Sequence, residues 1–391
     1  MSKDAKKVPA LRFKGFSDAW EKRKLGQIAE ILMGQSPDSK NYTTDPKDYI
    51  LVQGNADIKN GWVYPRVWTT QVTKIAKKGS VLLSVRAPVG EVARSAFDVV
   101  LGRGVASIGH DDFLYHYLVR MKENGFWLKL STGSTFDSIN SKDIKEAALF
   151  VPEKPEQQKI SRILNSLNHL IAATQQKIDN LERTKKALRR RIFDQSLRLK
   201  GYSDLWENHR LGELANIQGG GTPSTSKSEY WNGSIDWYAP AEIGTRRYVS
   251  GSKRRITELG LQKSSAVLLP ANKTILFTSR AGIGNAAILT KTAATNQGFQ
   301  SIVVKQNADI YFLFSKIPEI KHKAIRLAAG STFLEISGKS LSKIQIKVPN
   351  HDEQSKIGKV FLQMDNLIDL TQSKLAGLKL LKQAMLENLF V

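Results

Sequence analysis

The stretch LRFKGFSDAWEKRKLGQIAEI at 11–31 returns 186 residues later as LRLKGYSDLWENHRLGELANI, with twelve of 21 positions identical. Gly15/Gly201, Ser17/Ser203, Asp18/Asp204 and Trp20/Trp206 are among the matches. A chain that repeats at this period folds as two like modules, so the repeat fixes the architecture before any single motif is weighed. A second match pairs 132–160 with 329–357 at an offset of 197, which is 11 more than the first. The second copy therefore carries an insertion between its two matching ends. There, SVRAPVGEVA (84–93) lines up with TSRAGIGNAA (278–287), setting Arg86 against Arg280 and Gly90 against Gly284. Little else aligns from 35 to 130.

Each copy has the same order of elements. A polar turn (MGQSPDS, GGGTPSTS) follows the opening segment. Short β-branched runs predict strands, first GSVLLSV and KTILFTS, then VASI and FQSIVV. DDFLYHYLVRMKENG and ADIYFLFSKIPEI each read as a helix. A long amphipathic helix is then expected to start just after Pro155 in one copy and just after Pro349 in the other. Steps of four and three give a seam of Ile160, Leu164, Leu167, Ile171, Thr174, Ile178, Leu181, Lys185, Leu188 and Ile192. The second seam is Ile357, Phe361, Met364, Ile368, Thr371, Leu375, Leu378, Lys382, Met385 and Leu389. A 3.5-residue period sustained this long argues for a coiled coil. The competing reading packs each helix on its own globule.

A helix of about 40 residues is ~60 Å long, and the second copy begins at 197 with no linker. The ends of a domain usually lie close together, so the second helix is expected to run back antiparallel to the first. That predicts a pseudo-two-fold axis near Thr174 and Thr371, with the globules held apart. The fold class expected is α+β: globules at 1–152 and 197–350, helices at 153–196 and 351–391.

Lys and Arg number 59 against 36 Asp and Glu, a formal net charge of +23, which points to a polyanionic partner, with nucleic acid ahead of acidic membrane. No apolar run reaches membrane-spanning length. MSKDAKKVPA has no signal-peptide core and there are no cysteines, so cytoplasm is the default expectation. Motifs for covalent chemistry are lacking. SGKS at 337–340 has Phe333 where a phosphate loop needs glycine. GIGNAA at 282–287 reads as a tight turn, since its counterpart has Pro88 and no acidic residue follows at the required distance. His110 and His116 are too isolated to be metal ligands. No catalytic residue, metal site or cofactor is expected.

Candidate nucleic-acid contacts are Gln35, Ser36 and Lys40 in one polar turn and Thr222, Ser224 and Lys227 in the other. Arg86, Arg280 and Arg103 join them, since a guanidinium can pair bidentately with phosphate or guanine. An arginine bracing its own loop is the alternative. Residues 156–200 carry 11 basic and 4 acidic groups, and Arg189, Arg190 and Arg191 there suit either phosphates or an acidic protein surface. The aromatic patches NGWVYPRVW and YWNGSIDWY read equally as base contacts or as packing.

Two unlike globules, each followed by a repeated long helix, with KPEQQKI (154–160) and DEQSKI (352–357) at the helix starts, resemble the specificity subunit of type I restriction–modification systems. The resemblance covers Leu11 to Val391. MGQSP departs from it by lacking the fuller GGGTP and Tyr-Trp of the second copy. The resemblance implies that each globule is a target-recognition domain reading half of an asymmetric, bipartite double-stranded DNA site. It implies that the helices dock two modification subunits that bind S-adenosylmethionine, joined by ATP-dependent restriction subunits. Glu156, Gln157, Glu353 and Gln354 read as exposed helix-start residues suited to that docking. Two other readings remain open: a stand-alone methyltransferase or nuclease with a degenerate site, and a non-specific DNA-binding scaffold.

Overall fold

The computed structural model of the chain describes residues 8–130, 137–244, 246–280, 282–330 and 334–391. The repeated GSTF stretches fall largely outside these residues, at 133–136 and 331–333, as does Ala281 beside Arg280. Two compact units emerge. One runs to Gln176 and takes back Ser373–Val391, and the other is Lys177–Gln372. The long helices are therefore not bodies of their own, because each contributes residues to both units.

Glu21–Lys24 pairs antiparallel with Ala148–Val151, and Glu207–Arg210 pairs likewise with Gln345–Val348. These ladders tie the repeated opening of each copy to the residues that enter its long helix. In the first unit a six-stranded sheet runs in the order Leu32–Met33, Val105–Ser107, Val81–Ser84, Val92–Arg94, Trp62–Val63, Ile58–Lys59. The second unit orders Ala215–Gly219, Gln300–Val304, Thr274–Phe277, Ala286–Leu289 and Tyr248–Val249. The first five places correspond strand for strand, although the two sequences barely align there. A further sheet is also shared. Tyr49–Val52 lies between antiparallel Val67–Thr69 and parallel Val99–Leu101. Trp231–Tyr238 lies between antiparallel Arg254–Ile256 and parallel Ala293–Thr295.

The apolar runs predicted as strands are strands, and their burial explains their composition. Successive side chains on a strand point to opposite faces. Val81 and Leu83 enter one hydrophobic core while Leu82 enters another. Ile275 and Phe277 likewise part from Leu276. A strand covered on both faces reads as continuous rather than alternating hydrophobicity.

The helix Asp112–Glu123 starts where Asp111 accepts the Leu114 N–H at 3.0 Å. Its expected counterpart is instead two helices, Ile310–Ser315 and Ile317–Leu327, broken at Lys316. Pro318 is the cause, since it has no N–H to continue a helix and fits only in a first turn.

The long helices span Lys154–Phe193 and His351–Asn388. All ten stepped positions on each are buried or half-buried. In the first unit Ile160, Leu164 and Leu167 share a core with Leu386, Leu389 and Phe390. In the second, Ile192 shares a core with Ile357 and Phe361. Each helix thus ends beside the start of the other, which makes the pair antiparallel. Leu11 N–H donates to the Asn388 carbonyl at 2.8 Å, and Leu197 N–H to the Arg191 carbonyl at 2.8 Å. The end of the second helix therefore meets the first repeat as the end of the first helix meets the second. The polar seam residue Lys185 is answered by Asp365 at 2.5 Å. Burial lowers the Lys382 pKa, while attraction to Glu123 opposes the shift.

Candidate nucleic-acid interface

In each unit the polar turn after the opening segment packs against the turn that closes the parallel strand pair. Gln35 N–H donates to the Leu101 carbonyl at 2.8 Å, and Gly221 N–H to the Thr295 carbonyl at 2.8 Å. Gly102 N–H reaches the Val52 carbonyl at 2.7 Å, as Asn296 N–H reaches Tyr238 at 3.0 Å. Val85 N–H reaches Gly104 at 2.8 Å, as Ser279 N–H reaches Gly298 at 2.8 Å. These paired contacts put residues 35 and 221, 102 and 296, and 104 and 298 in equivalent places. They bring Ser36, Arg86 and Arg103 together in the first unit, and Thr222, Arg280 and Gln297 together in the second.

The approach is close because glycines permit it. A Cβ on Gly104 would sit 2.1 Å from the Gln53 carbonyl oxygen, and one on Gly220 would sit 2.1 Å from that of Asn296. Within this frame Ser36 Oγ accepts the Arg103 N–H at 3.0 Å, and Thr73 Oγ1 donates to the Gln35 carbonyl at 2.5 Å. Thr222 donates its hydroxyl to Gln297 Oε1. Arg280 Nε lies 3.4 Å from the place a Gly298 Cβ would take. Gln35, Arg86, Arg103, Thr222 and Gln297 are exposed, and Arg280 is half-buried.

Other expected contacts are not gathered here. Lys40 is exposed and pairs with its neighbour Asp38 at 3.2 Å. Ser224 shares a hydrogen bond with Ser226 at 2.9 Å and accepts from Trp231 Nε1 through its carbonyl. Lys227 is exposed before a short 3-10 turn. Arg189, Arg190 and Arg191 line a cavity of about 830 Å³ that also contacts Arg183, Lys186 and Lys316. The aromatic patches part ways. Trp62 and Tyr64 are 45% and 50% exposed, whereas Trp231 and Trp237 are buried edge to face at 5.1 Å.

The helix-start residues are corrected outright. Glu156, Gln157, Glu353 and Gln354 are all buried. Arg12 and Arg198 hold the two carboxylates, and Gln157 Nε2 and Gln354 Nε2 donate to the carbonyls of Pro152 and Pro349 at 2.8 and 2.9 Å. A carboxylate and an amide this enclosed fasten helix to domain, and no partner surface is left in them. Gln297 was not foreseen. Its signal lay in aligning GRG (102–104) with NQG (296–298), which sets it opposite Arg103. Among the described residues no group of His, Asp or Glu is placed to hold a metal ion, and no helix is long and apolar enough to cross a membrane.

Residues 17–183 and 203–380 each match the family described as the type I restriction modification DNA specificity domain. A specificity subunit of the type I restriction enzyme MjaIX from Methanocaldococcus jannaschii is 34% identical over 191 residues, 48% of this chain and 44% of that protein. The EcoR124I/EcoR124II specificity subunit of Escherichia coli is 31% identical over 241 residues, 59% of this chain and 58% of its own. The chain thus spans about half the length of these relatives. A crystal structure of a type I restriction–modification S subunit from M. genitalium superposes with a TM-score of 0.68 at 19% identity, covering 98% of this chain and 99% of that one.

Proposed function

The chain belongs to the type I restriction–modification DNA specificity family, and we propose that it is the non-catalytic DNA-recognition subunit of such a complex. It binds an asymmetric bipartite duplex, one half-site to each domain, with residues 1–152 and 197–350 as readers. The helices at 153–196 and 351–391 carry the docking of two S-adenosylmethionine-binding modification subunits, which ATP-dependent restriction subunits join.

One observation carries this reading. The two units share a strand order and a loop frame, yet they present unlike side chains at the frame's exposed points. A scaffold that binds DNA without reading it has no use for such a difference. The candidate contacts are Gln35, Ser36, Arg86 and Arg103 in one frame, and Thr222 and Arg280 in the other. Lys40, Ser224, Lys227 and Arg189 to Arg191 are flanking contacts. A formal charge of +23 supplies the phosphate attraction that any such protein needs.

The test is to express the chain with cognate modification subunits and map methylated adenines across the host genome. A split motif with unlike halves is expected, and a continuous motif or random methylation overturns the proposal. The purified chain alone, given S-adenosylmethionine or Mg²⁺ and mixed-sequence DNA, is expected to turn nothing over. Turnover that depends on one of its acidic or histidine residues would favour an enzyme instead.

A further inference from the structure

Two copies that read different half-sites cannot encode the difference in residues they share. Arg86 and Arg280 are the same residue at equivalent turns, so whatever they contact is common to both halves. Phosphate is the group common to every base pair. The difference has to come from equivalent positions that are exposed, rigidly based and chemically unlike.

Positions 103 and 297 meet all three conditions. Each is the middle residue of a turn whose neighbours are fixed by backbone hydrogen bonds, at Gly102 and Gly104 in one unit and Asn296 and Gly298 in the other. Each side chain is exposed while its two chain neighbours are buried or half-buried, so it is the one that projects. The two differ in the way that base recognition uses. A guanidinium matches the two acceptors O6 and N7 on the major-groove edge of guanine, and a carboxamide matches N6 and N7 of adenine. Arg103 has no carboxylate partner among the described residues, so its fork is free to receive acceptors. Gln297 is oriented by the Thr222 hydroxyl on Oε1, and the oxygen keeps a second lone pair while Nε2 keeps both hydrogens.

We propose, resting on the function inferred above, that positions 103 and 297 are specificity-determining: Arg103 reads a guanine in the first half-site and Gln297 reads an adenine in the second. Arg86 and Arg280 hold phosphates beside them and carry no sequence choice.

The experiment maps genome-wide adenine methylation by the full complex carrying the parent chain, Arg103→Gln, Gln297→Arg, Arg86→Ala or Arg280→Ala. Arg103→Gln is expected to change one position of one half-site from G to A by at least about tenfold, leaving the other half unchanged. Gln297→Arg changes A to G in the other half. Arg86→Ala and Arg280→Ala lower the extent of methylation with the motif unaltered. An unchanged motif in both exchange variants, beside a split motif for the parent, overturns the assignment and leaves the recognition function standing. A parent without a split motif overturns the function itself. Should an exchange variant lose methylation altogether, binding of its complex to duplexes differing only at that base pair decides. An unaltered preference then refutes the proposal.

Discussion

Arg12 grips Glu156 through two parallel hydrogen bonds, Nε to Oε1 at 2.8 Å and Nη2 to Oε2 at 2.9 Å, across 144 residues of sequence. Arg198 grips Glu353 in the same manner at 3.0 and 2.8 Å. The copies differ in one donor. Trp20 Nε1 adds a third bond to Glu156 at 3.2 Å, whereas Trp206 Nε1 is buried without a partner among the described residues. Removing one partner of a buried pair costs about 3–5 kcal/mol, because the other charge stays buried. Arg198→Ala strips Glu353 of its side-chain donors, while Arg12→Ala leaves Glu156 with the indole. Arg198→Ala is therefore expected to destabilise more. Urea unfolding gives the comparison, and hydrogen exchange at 353–357 and 156–160 localises it. Equal losses would show that the indole bond contributes nothing.

His116 gives the first unit a pH dependence. It is fully buried, its Nε2 lies 2.8 Å from Asn165 Oδ1, and its Nδ1 has no partner among the described residues. Burial pushes its pKa down to about 3, aided by Arg94 and Lys382 and opposed by the Asn165 bond. The folded chain keeps the imidazole neutral while the unfolded chain protonates it below about 6.5. Between those two values the unfolded state binds the extra proton, so stability falls as pH drops. One such group contributes about 1.4 kcal/mol per pH unit. His116→Gln keeps a donor for Asn165 and cannot titrate. The difference in unfolding free energy between parent and variant should shrink or reverse as pH falls from 6.5 toward 3. A difference that stays flat over that window would place the proton elsewhere.

The sequence shows the helices clearly and their fastening not at all. A buried stripe along a helix must recur every 3.5 residues, so Ile160 through Ile192 announces itself from local spacing. Glu156 does not, because its partner is 144 residues away and a carboxylate in a first helical turn ordinarily faces water. The break at Lys316 was hidden by the apolar run on either side of it, though Pro318 marks it in hindsight. The loop frame was half-visible. Arg86 and Arg280 align by eye, but Gln297 finds Arg103 only through Gly104 and Gly298, since the surrounding residues share a backbone and not a composition.

Phe361 tests the seam where the helices share the second core. It is fully buried and stacks on Phe193 with ring centroids 5.7 Å apart and planes 24° from parallel. Phe361→Ala removes that contact and leaves a cavity, at a cost of about 3–5 kcal/mol. Met364, one step along the seam, is half-buried, and Met364→Ala should cost clearly less. The midpoints of urea denaturation for the two variants check the order. A reversed order would mean that the stacked rings are not what holds this end of the helix pair.

The loop frames depend on glycines for a reason other than backbone angle. Neither Gly104 nor Gly220 has a positive φ, yet a Cβ on either would fall 2.1 Å from a backbone oxygen of the facing turn. No rotamer change relieves a clash between Cβ and main chain, so the turns must move apart. Gly104→Ala and Gly220→Ala are each expected to cost about 1–3 kcal/mol, the range for overpacking. The displaced turn carries Arg103 in one case and lies beside Gln297 in the other. Each substitution should therefore weaken discrimination in one half-site of the DNA while the other half keeps its preference. Gly244→Ala is the control, since no atom of the described residues beyond its chain neighbours lies within 4 Å of its added methyl, and it should leave stability within about 0.5 kcal/mol. Unfolding curves read the first effect, and competition between single-base duplex variants reads the second. Loss of discrimination in both halves from Gly104→Ala alone would mean that the two frames do not act separately.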